Sequence, residues 1–179
     1  MAANKVNLKN IKALVLDTDG ILTDGGLFYL ETGEPLIRFD IQDGLAIVVA
    51  RSAGLEVAII SGRRSEALIL RAEHLGITEV IQGAVNKERA LRELAARRGW
   101  QLSEIAYMGD DLNDLPALEI AGVRITVANG IPEAKEMAHL ITTKCGGSGA
   151  VKEAIQIILE AQDRWKDAVQ NYLSSLRSA

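Results

Sequence analysis

Four short segments of this 179-residue chain carry residue types that can do chemistry together: Asp17-Thr18-Asp19-Gly20, Ser61-Gly62-Arg63, Lys87, and Gly109-Asp110-Asp111-Leu112-Asn113-Asp114. Two carboxylates two residues apart can face one site only if the backbone turns, and Gly20 permits that turn. Gathering several carboxylates is costly, because like charges raise one another's pKa. A divalent cation removes the cost, and carboxylate, water and phosphate oxygens are the ligands that Mg²⁺ prefers. Ser61 and Lys87 then supply a hydroxyl donor and a fixed positive charge for a phosphoryl group. Each piece alone has an ordinary explanation. An Asp after a strand is often a helix cap, Lys87 alone reads as a solvated helix residue, and Asn113 or Asp114 can cap a helix running through Pro116-Ala117-Leu118. The order Asp-x-Asp, Ser, Lys, Gly-Asp-Asp-x-x-Asp, each at a strand–helix junction, is what chance does not easily produce.

The elements that must position these residues are legible as short apolar runs alternating with amphipathic stretches. Ile11 to Leu16, Val57 to Ile60, Glu79 to Ile81, Ile105 to Met108 and Val123 to Val127 read as strands covered on both faces. Asp43 to Ala53, Ser65 to Leu75 and Lys87 to Arg98 read as helices, each followed by a glycine at Gly54, Gly76 or Gly99. A last helix is expected from about Ala150 to Leu176. This alternation predicts an α/β fold with a mostly parallel sheet and helices on both faces. Ligands of such sheets bind beyond the carboxyl ends of the strands, where all four segments fall.

One segment departs from the rhythm. Residues 27–39 read as a β-hairpin around Glu31-Thr32-Gly33-Glu34, and they hold both phenylalanines of a chain that is only 4% aromatic. Those rings either cover the body of the same chain or project against another subunit. Length and composition predict one soluble domain over residues 1–179. A net charge of −4 argues against nucleic acid as a partner. No apolar run reaches the ~20 residues of a membrane span. Residues 1–6 have no signal-peptide core, and the lone Cys145 fits a reducing, cytoplasmic setting.

At its acidic motifs the chain resembles the haloacid-dehalogenase-like (HAD) phosphohydrolases. The stretch Asp17-Thr18-Asp19-Gly20-Ile21-Leu22-Thr23-Asp24-Gly25, with Asp43-Gly44-Leu45, Ser61-Gly62-Arg63 and the tail Gly146-Gly147-Ser148-Gly149-Ala150-Val151-Lys152-Glu153, narrows the likeness. It is similar to the branch acting on 3-deoxy-D-manno-octulosonate 8-phosphate, from about Ile11 to Trp165. The resemblance implies a Rossmann-like fold and a phosphomonoester hydrolase working through an aspartyl-phosphate. Asp17 would be the nucleophile and Asp19 the general acid and base. Mg²⁺ would be held by Asp17, the Asp19 carbonyl and Asp110, with Asp111 or Asp114 in its outer shell. Ser61 and Lys87 would bind the transferring oxygens, and Arg63, Thr23, Gly146 and Gly147 the rest of the substrate. Thr18 stands where this family usually has Val. Gln42 and Ser148 stand where relatives often carry cations, which weakens the case for a sugar acid, whereas Arg63 matches the octulosonate type rather than phosphatases of nine-carbon sialic-type sugars.

Other readings fail on order. A response-regulator receiver needs its phospho-accepting Asp on a later strand, where this chain has Ser61. A dinucleotide binder needs its glycine-rich turn after the first strand, and here Gly146-Gly147-Ser148-Gly149 comes late. A true dehalogenase would need neither Asp19 nor a metal, and a catalytically silent assembly domain would not need the intact Asp17, Asp19, Lys87 and Asp110. His74 and His139 read as surface residues. Phosphatases of this fold commonly close over substrate with an inserted cap, yet residues 20–60 are consumed by the hairpin and one helix, and residues 62–86 by one helix and one strand. The expected enzyme is therefore cap-less, with another chain completing the site. The resemblance implies a homotetramer assembled through hairpins, a neighbour's glycine-rich tail reaching toward the site.

Overall fold

The computed structural model describes residues 7–33 and 35–178. The signal-peptide reading of residues 1–6 and the hairpin-turn residue Glu34 lie outside them. Six strands form one sheet: β1 (Ala13–Leu16), β4 (Glu56–Ser61), β5 (Glu79–Gln82), β6 (Ile105–Met108), β7 (Val123–Thr126) and β8 (Leu140–Ile141). Their order is β5-β4-β1-β6-β7-β8 and every pairing is parallel. All four residues of β1 and of β6 are buried, as continuous apolar runs at the centre of a two-sided sheet should be.

Alternation along the strands sends side chains to two separate cores. Leu14, Leu16, Val57, Ile59, Ala106 and Met108 pack under α1 (Ile41–Ser52), α2 (Glu66–His74), α6 (Ala150–Ala161) and α7 (Trp165–Ser178). Ala13, Val15, Ala58, Ile60, Ile105 and Tyr107 pack under α3 (Lys87–Arg98), α4 (Leu115–Ile120) and α5 (Pro132–Met137). Helix starts are fixed by side-chain caps. Asp40 accepts from Gln42 N at 2.7 Å to open α1, and Asn86 accepts from Arg89 N at 2.8 Å to open α3. Gly99, at φ 69°, closes α3 in the left-handed conformation that a Cβ disfavours.

The structure corrects three details. The last helix is two: Asp163 takes φ 57°, and the Gln162 amide bonds the carbonyls of Leu8 and Ile11, so α6 stops and α7 turns back. The two-residue edge strand β8 was not expected, being too short to show a pattern. The hairpin is shorter than expected, with only β2 (Phe28–Tyr29) and β3 (Pro35–Leu36) paired. Pro35 has no N–H to extend the ladder. Between the ends of β1 and β4 the chain makes a turn, this hairpin and α1; between β4 and α3 it makes α2 and β5.

Candidate active site

In-register pairing of β1 with β4 on one side and β6 on the other brings three of the motifs side by side. Leu16 stands opposite Ile59 and Met108, so Asp17, Ser61 and Gly109 leave adjacent strand ends. Asp17 N bonds the Met108 carbonyl at 2.9 Å. Lys87 arrives from across β5 as the first residue of α3, and a Cβ on Gly62 would already touch its Cε at 3.9 Å.

Lys87 is the centre of a buried charge cluster. Its ammonium lies 2.7 Å from Asp17 Oδ1 and 2.7 Å from Asp114 Oδ1, and neither it nor Asp114 has any solvent-exposed side-chain surface. Burial alone would lower the lysine pKa, but its bonds and charge contacts with Asp17 and Asp114 outweigh that and hold it above its ordinary value. Asp17 is pushed up by burial and by the Asp114 charge, against the opposing pull of Lys87. Asp110 is pushed up to about 7, first by burial and then by Asp114 and Asp111.

Asp114, expected near a cation's outer shell, is bonded by protein donors. Oδ1 accepts from Lys87 Nζ and from the Tyr107 hydroxyl, each at 2.7 Å, and Oδ2 accepts from the backbone N–H of Asp110 at 3.1 Å and of Asp111 at 3.2 Å. A carboxylate has about four lone-pair directions, so all of them are used in holding the lysine and the acidic loop. Asp110 differs. Its Oδ1 is buried without a hydrogen-bond partner, and a Cβ on Gly20 would collide with the same carboxylate. The carboxylate oxygens of Asp17, Asp110 and Asp114 lie within 4.8 Å of one another. An unpartnered anionic oxygen among crowded carboxylates fits a small hard cation, as the donor chemistry requires.

Asp17 lines an open cleft of about 400 Å³ with Asp19, Arg63, Asp111, Asn113 and the 93% exposed Val85. Arg63 Nη1 is 3.5 Å from Asp19 Oδ2, at the mouth. Ser61 is buried, its hydroxyl accepting a long 3.4 Å bond from Arg63 N. Asp111 caps the turn Leu112–Asp114 through a 2.7 Å bond from Leu112 N and stays exposed. A larger cavity, about 780 Å³, opens around Lys9, Lys12 and Arg164 near the opposite ends of the strands, away from these groups.

Three expected substrate contacts are placed elsewhere. Thr23 is fully buried, and its hydroxyl accepts from Gly20 N and Gly25 N while donating to the Thr18 carbonyl. It staples the loop that follows Asp17 and has no exposed surface. Gly146 and Gly147 back that loop: Gly147 N bonds Ile21 O at 2.9 Å, and side chains at either glycine would strike residues 20–24. The glycine-rich segment is thus bonded to its own chain's Asp17–Gly25 loop. It is tied further by Arg38, whose guanidinium donates to Gly147 O at 2.7 Å.

Two residues carry roles beyond the expectations. Asp43, 1% exposed on α1, accepts from Gly149 N at 3.1 Å and Lys152 N at 2.8 Å, which caps the start of α6 from across the chain. Tyr107 supports Asp114 from within β6. Gln42, read as a lost cation, bonds Lys152 Nζ at 2.9 Å and so keeps a positive charge beside it. His74, His139 and Cys145 are exposed.

Comparison with known proteins agrees with this geometry. Residues 65–155 match the model of a haloacid dehalogenase-like hydrolase family. The 3-deoxy-D-manno-octulosonate 8-phosphate phosphatase KdsC of Yersinia pestis is 40% identical over 159 residues, 89% of this chain and 85% of that protein. The crystal structure of the phosphatase of that name from Moraxella catarrhalis, in complex with magnesium ion, phosphate ion and KDO, matches with a TM-score of 0.90 and 41% identity, covering 93% of this chain and 95% of that one. A cobalt-bound form of the Haemophilus influenzae phosphatase matches with a TM-score of 0.88 and 37% identity, covering 93% and 99%.

Proposed function

The chain belongs to the haloacid dehalogenase-like hydrolase family, and from that premise we propose that it is a Mg²⁺-dependent phosphatase of 3-deoxy-D-manno-octulosonate 8-phosphate that works through an aspartyl-phosphate. The observation that carries the reading is the buried Asp17–Lys87–Asp114 cluster opening, beside an unpartnered Asp110 oxygen, onto a cleft that also holds Asp19. Asp17 attacks phosphorus as the bond from phosphorus to the sugar oxygen breaks. Asp19 gives its proton to that leaving oxygen, then takes one from the water that hydrolyses the acyl phosphate, a role worth ~10²–10⁴-fold in rate. Lys87 and Ser61 hold the transferring oxygens, and Lys87 favours the charged form of Asp17 against the burial that raises its pKa. Asp17, Asp110 and the Asp19 carbonyl would hold Mg²⁺, with Asp111 toward its outer shell; when bound, the ion neutralises the crowded oxygens, as a loose phosphoryl transition state requires. Arg63 at the mouth is the cation placed to meet the acidic end of the substrate.

The hairpin supports a homotetramer. Phe28, Tyr29 and Leu36 are 69%, 66% and 53% exposed, an arrangement that a second copy would cover. Among the described residues no helix is long and apolar enough to cross a membrane, which accords with work on a small sugar phosphate in the cytoplasm.

The test is phosphate release by purified protein with Mg²⁺ across a panel of sugar phosphates that includes the octulosonate and nine-carbon sialic-type substrates. The octulosonate is expected to give the highest kcat/KM. Equal, low activity across the panel would reject the substrate while leaving the hydrolase.

A further inference from the structure

Tyr107 is out of keeping with its surroundings. It lies in the central strand β6 and has no exposed surface, in a run whose other members are Ile105, Ala106 and Met108. A hydroxyl at that depth is tolerated only with a partner. Strand alternation points Tyr107 toward the α3 side of the sheet, where Lys87 begins α3. Its hydroxyl finds Asp114 Oδ1 at 2.7 Å, the same oxygen that holds the Lys87 ammonium. The result is a line of three bonds, Tyr107 to Asp114 to Lys87 to Asp17, each 2.7 Å long.

We propose that Tyr107 is a positioning residue for phosphoryl transfer: by donating to Asp114 Oδ1 it sets how the Lys87 ammonium is shared between Asp114 and the attacking Asp17. The physical basis is competition for one oxygen. Asp114 Oδ2 is committed to the Asp110 and Asp111 amides, so Lys87 and Tyr107 must share the lone pairs of Oδ1. A second donor on Oδ1 drains its negative charge and weakens its hold on the ammonium. Without the hydroxyl, Lys87 draws closer to Asp114 and gives less to Asp17 and to the phosphoryl oxygens. Hydrogen bonds couple this strongly only where water is excluded, and Lys87, Asp114 and Tyr107 are all 1% exposed or less.

The inference rests on the phosphatase reading of the site, and its test separates the two. Tyr107→Phe keeps the ring and removes only the donor. In the full chain with Mg²⁺, on any phosphomonoester the unaltered protein hydrolyses, kcat is expected to fall about tenfold while KM moves less than about twofold, the signature of an interaction made in the transition state. Mg²⁺ affinity by calorimetry should be unchanged. In an Asp114→Asn background the same substitution should change kcat by less than about twofold, since the route to Lys87 is already cut. A kcat within about twofold of the unaltered enzyme, or the same fold-loss in both backgrounds, would overturn the proposal.

A second measurement does not need the phenylalanine variant to fold. The chain has three tyrosines. With all of them replaced by 3-fluorotyrosine, and Tyr29 and Tyr172 assigned by their own phenylalanine variants, the Tyr107 fluorine signal should move when inorganic phosphate and Mg²⁺ are added together. A signal that ignores them would reject the link. Absence of hydrolysis by the unaltered protein would instead reject the phosphatase reading.

Discussion

The ends of the central strands and the hairpin invert the usual distribution of residues in opposite ways. At the strand ends, charge is buried: Lys87, Asp17 and Asp114 lie where apolar side chains would pack without cost. On the hairpin, apolar rings are exposed, with Phe28 and Tyr29 in water where charge would be stable. The first is made tolerable by hydrogen bonding of its buried charges, except at Asp110 Oδ1, which has no partner. The second leaves its rings uncovered. A departure from the inside-out rule is therefore where the proposed contacts fall: an ion and an anion at one region, a second copy of the chain at the other.

The strongest way to break the first region is at its reacting atom. Asp17→Asn should keep the fold and lower turnover by at least about 10³-fold, measured as phosphate release beside a thermal melt. Substantial Mg²⁺-dependent turnover in that variant would exclude the covalent mechanism. Next comes the charge that balances the cluster. Lys87→Met leaves Asp17 and Asp114 buried without a counter-charge and should cost about 3–5 kcal/mol by denaturant titration, with activity lost as well.

Protons and metal provide the third test. A carboxyl whose pKa is raised on folding favours the folded chain below its unfolded value, and that contribution is lost as pH rises through the folded value. For Asp110 the folded value is about 7 and for Asp17 it is also raised. The metal-free melting temperature should therefore fall from about pH 5 to about pH 8, and added Mg²⁺ should stabilise more at the upper end, where it no longer displaces protons. Equal Mg²⁺ stabilisation at both ends would place the metal elsewhere. The smallest effect on the chain itself belongs to the hairpin. Phe28→Ser with Tyr29→Ser should change stability by under about 0.5 kcal/mol, because both rings are exposed. The particle mass in native mass spectrometry should nevertheless drop to that of one chain. An unchanged mass would assign assembly to another surface.

The same contrast governs how much could be read in the sequence. Buried parallel strands announce themselves, because both faces must be apolar, and β1 and β6 stand as their runs of apolar residues imply. The four acidic and basic motifs converge because the sheet puts their strand ends side by side. What was hidden depends on contacts between distant segments. Tyr107 reads as one more apolar strand residue until Asp114 is found beneath its hydroxyl. Thr23 reads as a substrate contact until its hydroxyl is seen serving three backbone groups of its own loop. Asp43 caps a helix more than a hundred residues away, a relation no local pattern encodes. The break at Asp163 rests on Gln162 reaching the carbonyls of Leu8 and Ile11, partners at the other end of the chain.

The long reach of Asp43 also orders events in time. The Asp17 loop and its strand are made first, but Gly147, which backs the loop, and Gly149 and Lys152, which satisfy Asp43, come more than a hundred residues later. At the ~5–20 residues per second of translation, the growing chain spends several seconds with Asp17 present and its support missing. The frame around Asp17 is thus complete only once residue 152 has been made, so a chain stalled before that point would hold this carboxylate without the contacts that fix its loop.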